Sequence, residues 1–494
     1  MTILAVVLAY FLVLLSVSRL TAGRKATNEA FYRANRRAPW YMVAFGMVGA
    51  SISGVTFVSV PGMVLSSDMA YMQTCLGFIL GYFVVAFVLL PVYYRLNLTT
   101  IYTYLRDRIG RRAHTTGAAF FLLSKMTGAA VRFYVVCIIL QRFVLGPTPD
   151  PSLKGGETWT GVGLGIPFWI TVPLMVCLIW LYTRRGGIKT LVWTDTFQTV
   201  CMFATLILII YKVTGELGYS LPDAVEAIKG DARSRMFVFD DWHSKWFFWK
   251  QFLSGMFITI VMTGLDQDMM QKNMTCRTLR DAQKDMCTYG FAFAPANLLF
   301  MCLGILLAQL AARQGLSLPA SGDELLPMFA ATGRLGRAAL MLFIVGIVAA
   351  SFSSADSALT SLTTSYCVDL RGRAGDERLR KRAHVGVAVV FAVFILLFRL
   401  LNSTSVIDAI YVMCGYTYGP LLGLFAFGLF TKRRTNDRLV PYVCVASPLL
   451  CFLLDKTIAS ATGYHFGYEL LMLNGLLTYL GLWLSGAGKN ANKS

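Results

Sequence analysis

Windows of about 20 apolar residues, the length a helix needs to span the hydrocarbon core of a bilayer, recur about thirteen times along the chain. They fall near residues 2–18, 40–65, 69–94, 115–141, 165–182, 189–211, 246–265, 288–311, 338–368, 383–400, 404–430, 439–455 and 467–486. Polar and charged residues collect between them. The pattern predicts an all-α polytopic membrane protein of about 13 transmembrane helices, since a helix satisfies its own backbone groups where no water can. Composition agrees. A content of 56% hydrophobic against 14% charged residues over 494 positions is more apolar than a soluble core of this size can hide.

The formal net charge of +19 raises the question of nucleic acid. Position answers it. Most of the 45 Lys and Arg residues lie in alternate loops, Arg19–Arg37, Arg95–Arg112, Arg184–Lys189, Lys272–Lys284, Arg371–Arg382 and Lys432–Arg438, with Lys489 and Lys493 in the tail. By the positive-inside rule those loops are cytoplasmic, which predicts the N-terminus outside, the C-terminus inside and a plasma-membrane location of bacterial inner-membrane type. The first segment is followed by basic residues and reads as an uncleaved anchor. The eleven cysteines show no C-x-x-C pair and read as small buried hydrophobes. The four histidines, His114, His243, His384 and His465, lie at segment ends or in loops without ligand spacing. No G-x-S-x-G, P-loop or H-E-x-x-H pattern occurs, so an enzyme has no chemical centre here.

The segments divide the chain into an anchor and loop over 1–39, five segments over 40–211, an external loop over 212–245, five more over 246–430, and two last segments with a short tail over 431–494. Five is odd, so the second set enters the bilayer from the opposite face. That parity creates the inverted-topology repeat common in secondary transporters, whose sites lie where the first helix of each half is interrupted. In segment 40–65 the interruption is expected at the cluster Gly46, Gly49 and Gly54, accompanied by Ser51, Ser53 and Thr56. Its counterpart is expected at Ser254-Gly255 and Thr263-Gly264. Gly77 and Gly81 read as close helix packing. The stretches Gly146–Gly163 and Thr214–Lys245 are the longest external loops and resemble no catalytic domain.

The ninth segment carries Ser351, Ser353, Ser354, Asp356, Ser357, Thr360, Ser361, Thr364 and Ser365. Positions 353, 357, 360, 361 and 364 share one helix stripe and predict a line of oxygens suited to a dehydrated small cation. The bland alternative is that these hydroxyls bond back to their own helix. An ionised Asp near the bilayer centre costs roughly 2.5 to 3.5 kcal/mol on insertion scales and needs a partner. A second acid, Asp195, follows Trp193-Thr194 in the sixth segment, and Asp266-Gln267-Asp268 closes the seventh.

The Gly186-Gly187 pair followed by Trp193-Thr194-Asp195 and Gln198, the run from Gly264 through Gln267 and Gln271 to Ala282-Gln283-Lys284, the Ser353-Ser354 and Ser357 pattern with Asp369, and Gly419-Pro420 to Gly423 together resemble the sodium/solute symporter family of sodium-coupled sugar, proline, pantothenate and sialic acid carriers. The resemblance covers nearly the whole chain. It implies a LeuT-type 5+5 inverted repeat, with one extra N-terminal and two extra C-terminal helices, and uptake driven by Na⁺ with no organic cofactor. It also implies a main Na⁺ site from the carbonyls of Gly49, Ile52 and Ala350 and the hydroxyls of Ser353 and Ser354. Sialic acid carriers are similar in having a second Na⁺ site one turn further inward, whose positions here are Asp195, Ser353, Asp356 and Ser357. Asp356 departs from the family's hydroxyl, so a proton is an alternative occupant.

For substrate, Ser51, Ser53, Thr56, Gln73, Thr259 and Thr263 are expected at the cavity. Lys125 and Arg132 share one face of one span and cannot comfortably face lipid. By resemblance to the sialic acid carriers Arg132 holds a substrate carboxylate, which guanidinium suits; otherwise it pairs with a core acid while Lys125 snorkels inward. The resulting expectation is a monomeric, Na⁺-coupled importer of a small polar, carboxylate-bearing solute. A transporter-fold sensor or receptor, a proton-coupled importer and a channel are the alternatives. A sensor would be expected to add a cytoplasmic domain, and the tail after Ser485 is short.

Overall fold

The computed structural model describes residues 2–22, 27–141, 165–331, 334–401, 406–464 and 466–486. The expected loop Gly146–Gly163, His465, Lys489 and Lys493 lie outside them. Fifteen principal helices carry the architecture: α1 Thr2–Ala22, α2 Trp40–Ser51, α3 Gly54–Ser67, α4 Tyr71–Arg95, α5 Arg111–Leu140, α6 Phe168–Gly186, α7 Ile188–Leu217, α8 Phe248–Gly264, α9 Gln267–Asn273, α10 Leu279–Arg313, α11 Gly336–Leu370, α12 Glu377–Leu401, α13 Val406–Phe430, α14 Val440–Thr462 and α15 Leu470–Ser485. Eight of these are long and apolar enough to cross a bilayer on their own; counting each of two bent pairs as one span makes ten. The shorter apolar helices α1, α6 and α15 stand beside them.

The bent pairs are α2/α3, turning by 61°, and α8/α9, turning by 69°. The first bend has a local cause. Ile52 (φ −79°, ψ 85°) and Ser53 (φ −80°, ψ 174°) leave helical geometry. The Ser53 N–H donates to Ser51 O at 3.0 Å, where an unbroken helix would have it donate to Gly49 O. None of the glycines sits in the bend itself. Gly46 and Gly49 let α2 close on α7, and a Cβ on Gly49 would meet Thr199 Oγ1 at 1.8 Å. Gly54 does the same for α3 and α11, where a Cβ would fall 2.0 Å from Ser351 Oγ. The glycine cluster therefore permits the approach that makes a bend useful, and the hinge is Ile52-Ser53.

The second bend follows Thr263-Gly264, as expected, but not Ser254-Gly255. Gly255 lies inside continuous α8, its Cα facing the carbonyl of Thr74 at a distance that leaves a Cβ 2.3 Å from that oxygen. It forms one side of a seam whose other side is Gly77 and Gly81 of α4. Close packing of those two glycines is thus correct, and Gly255 belongs with them. At the bend, Asp266 leaves helical geometry and its carboxylate accepts the Asp268 N–H at 2.8 Å, capping α9 as a new helix. All seven residues of α9 are buried. Gln267 and Gln271 tie it down through Ile101 N–H, Thr99 O, Tyr32 O and Thr364 Oγ1.

Candidate functional site

The two bends lie against α11, and α7 closes the group from behind. Ser354 of α11 donates to Ala50 O at 2.9 Å and contacts its own Ala350 O at 3.4 Å. The hydroxyl therefore joins α11 to the end of α2, one residue from the released Gly49 carbonyl and two from Ile52. Gly49, Ile52, Ala350, Ser353 and Ser354 lie on the two segments that this hydroxyl joins, all buried.

The adjacent Ser353 donates to Asp195 Oδ1 at 2.8 Å. The other oxygen of Asp195 meets Lys272 Nζ at 2.8 Å as a buried ion pair, the ammonium arriving off the direction of a well-aligned hydrogen bond. Asp356 takes Tyr182 OH at 2.8 Å and Ser357 Oγ at 3.3 Å. Sequence reasoning missed Lys272, counting it as a topogenic cation of an inner loop. It is 2% exposed. A signal existed: it sits two residues past an apolar Met269-Met270 pair, on the run that carries Gln267 and Gln271.

The oxygen stripe is not continuous. Ser361 bonds back to Ala358 O at 3.1 Å and Thr364 to Thr360 O at 2.8 Å, as isolated helix hydroxyls do. At the inner end of α11, Asp369 gathers Ser365 at 2.7 Å, His114 at 2.9 Å and the Thr100 hydroxyl. His384 is likewise buried, between Thr183 and Thr363. Neither histidine is the interfacial residue its place near a segment end suggested. Both lie where α11 packs on its neighbours.

A central cavity opens beside the first bend, between α2, α4, α5, α8, α9, α10, α11 and α13, with Lys125, Asp266 and Asp268 in its lining. Ser51, Arg132, Thr259 and Thr263 line it. Ser51 shares a 2.5 Å hydrogen bond with Tyr289 OH, which accepts from Tyr82 OH at 2.8 Å. Ser53, Thr56 and Gln73 do not line it. Gln73 spends its amide on structure, donating to Ala70 O and Trp246 O and accepting the Val238 N–H. Ser53 and Thr56 are buried beyond the hinge, since the 61° turn carries α3 away from the opening.

The two cations of α5 reverse the structural alternative. Lys125 does not snorkel: it is buried against Asp268 at 2.6 Å and Asp266 at 3.2 Å, and Tyr418 OH adds a 2.6 Å bond to Asp266. Arg132 is half-buried in the cavity wall and makes no ion pair or side-chain hydrogen bond among the described residues. The pairing of Arg132 with a core acid is thus not seen, and Asp266 and Asp268 are engaged by Lys125 instead.

The model of the Sodium:solute symporter family matches residues 31–146 and 152–438. The chain belongs to this family. It is a membrane protein of many spans that couples solute movement to Na⁺ as a secondary symporter. Among curated relatives, the sodium/sialic acid symporter of Proteus mirabilis is 24% identical over 474 residues, covering 90% of this chain and 87% of that one. The one of Aliivibrio fischeri is 24% identical over 486 residues, covering 93% and 88%. The human sodium/iodide cotransporter is 23% identical over 428 residues, covering 83% and 62%. Among solved structures, a substrate-bound, outward-open Na⁺-coupled sialic acid symporter superposes with a TM-score of 0.81 at 19% identity over 98% of both chains. The nucleobase-cation symporter Mhp1 in a closed conformation gives 0.54 at 14% identity, over 92% of this chain and 94% of its own. The fold is therefore the LeuT type, with bent helix pairs at α2/α3 and α8/α9.

Proposed function

We propose that this symporter imports a small, carboxylate-bearing polar solute, with Na⁺ held by the carbonyls of Gly49, Ile52 and Ala350 and the hydroxyls of Ser353 and Ser354. The observation that carries the ion site is the Ser354 hydroxyl bridging Ala350 O and Ala50 O beside the released Gly49 carbonyl. An ion there ties α11 to the α2/α3 hinge, which biases whichever arrangement of the two halves brings them together. Solute selection rests on Arg132, a guanidinium in the wall of the cavity with no ion pair among the described residues, in a cavity that Ser51, Thr259 and Thr263 also line. Relatives that carry sialic acid support a carboxylate as the shared chemistry.

The topology we propose has thirteen spans, with the N-terminus outside and the C-terminus in the cytoplasm, in a bacterial inner membrane, and the working unit is a monomer. An inward electrical potential of 100 mV then adds about 2.3 kcal/mol per Na⁺ moved. The deciding experiment is Na⁺-driven solute uptake into proteoliposomes. Ser353→Ala with Ser354→Ala should abolish the Na⁺ dependence while the purified protein keeps its helical content; unchanged Na⁺ dependence would sink the site.

A further inference from the structure

The position expected to hold a second Na⁺ already contains a positive charge belonging to the chain. Asp195, the acid on which such a site depends, gives one oxygen to the Ser353 hydroxyl and the other to the Lys272 ammonium, each at 2.8 Å. Both members of the ion pair are almost wholly buried, at 3% and 1% side-chain exposure, so the charges are not shared with water. Asp356 and Asp268 lie within electrostatic reach of the same ammonium. Asp268 is itself paired with Lys125, and Asp356 is supplied by the hydroxyls of Tyr182 and Ser357.

We propose that Lys272 is the resident counter-cation of Asp195, standing in the place of a second Na⁺, so that this symporter binds a single coupling ion per cycle. The inference rests on the main Na⁺ site proposed above. Lys272 is well placed for a fixed role. It rides on α9, whose residues on either side are anchored: Gln271 by Tyr32 and Thr364, and Asn273 by Ala282 O and Asp285 at 2.6 Å. A helix tied at both flanks holds the ammonium at Asp195 without freedom to swing into the cavity. A mobile Na⁺ at the same acid would have to displace a charge that cannot leave.

The consequence is a stoichiometry set by one side chain. With Lys272 removed, Asp195 and Ser353 together with Asp356 and Ser357 present two carboxylates and two hydroxyls to an uncompensated space. That set of oxygens suits a small hard cation, and Na⁺ is the one the symporter is supplied with. Lys272→Met should therefore convert a one-ion protein into a two-ion protein, and Lys272→Met with Asp195→Asn should return it to one.

The test is ²²Na⁺ binding to the purified full-length protein at saturation, which needs no knowledge of the solute. The expected result is one Na⁺ per wild-type chain, one for Lys272→Arg, two for Lys272→Met and one for the Lys272→Met/Asp195→Asn double variant. Two Na⁺ bound by the wild type, or one bound by a folded Lys272→Met protein, overturns the proposal. If Lys272→Met does not fold, the wild-type count decides alone. Ser354→Ala, measured in parallel, separates this inference from its premise. Loss of the wild-type ion in that variant upholds the main site. Its retention overturns the main-site reading and this inference with it, whatever Lys272 does.

Discussion

Arg132 is the residue whose chemistry is most exposed to test. A guanidinium in a partly apolar cavity with no ion pair among the described residues is costly unless a ligand completes it. A carboxylate can do so with two parallel hydrogen bonds. Charged hydrogen bonds contribute about 1.5–3 kcal/mol. Arg132→Ala should therefore raise KM for an acidic solute by roughly 10- to 100-fold, while leaving Na⁺ binding in place, as read by uptake and by ²²Na⁺ binding. Lys125 poses the opposite case. Its two acids are both satisfied by it, so Lys125→Ala leaves two buried carboxylates without their cation, a loss of about 3–5 kcal/mol. The melting midpoint in detergent should fall sharply, and Asp268→Asn in the same chain should recover part of it.

At the scale of elements, the seam between α4 and α8 depends on the absence of three side chains. A Cβ at Gly77 would stand 2.0 Å from Phe252 O, a backbone atom that cannot rotate away. Gly77→Ala should destabilise by about 1–3 kcal/mol, the range for overpacking a close contact. Gly386 on α12 has open space where its Cβ would go, so Gly386→Ala is the matched control. Its melting midpoint should stay level or rise, because alanine is the better helix former. The bends respond to different physics. The α2/α3 hinge is held by extended backbone at Ile52-Ser53, and the α8/α9 hinge by the Asp266 cap. Asp266→Ala should loosen α9 and with it the anchoring of Lys272.

The whole molecule has a handed placement of charge. If the basic loops are cytoplasmic, a green fluorescent protein fused after Ser494 should fluoresce in cells. An alkaline phosphatase fused at the same point should be inactive, and the reverse result would invert the proposed topology. The LeuT-type fold was legible from segment parity and from motifs spread over nearly the whole chain. Hydrophobic windows report lipid contact, and lipid contact is a property of the linear sequence. The position of the hinges was less legible. Glycine marks both a bend and a close contact, and Gly46, Gly49 and Gly54 turned out to be contacts flanking a bend made by Ile52 and Ser53.

What the linear sequence determined by itself is the helical membrane class, the family, and which hydroxyls and acids stand inside apolar segments, because burial in lipid forces those choices residue by residue. What only the tertiary structure decided is pairing. Gln73 looked free for a solute and is bound to Trp246 and Val238. Lys125 looked destined for the surface and is locked to Asp266 and Asp268. Lys272 looked like a loop cation and reaches Asp195, 77 positions earlier in the chain. A buried charge takes its meaning from the charge it meets, and that partner lies on another helix.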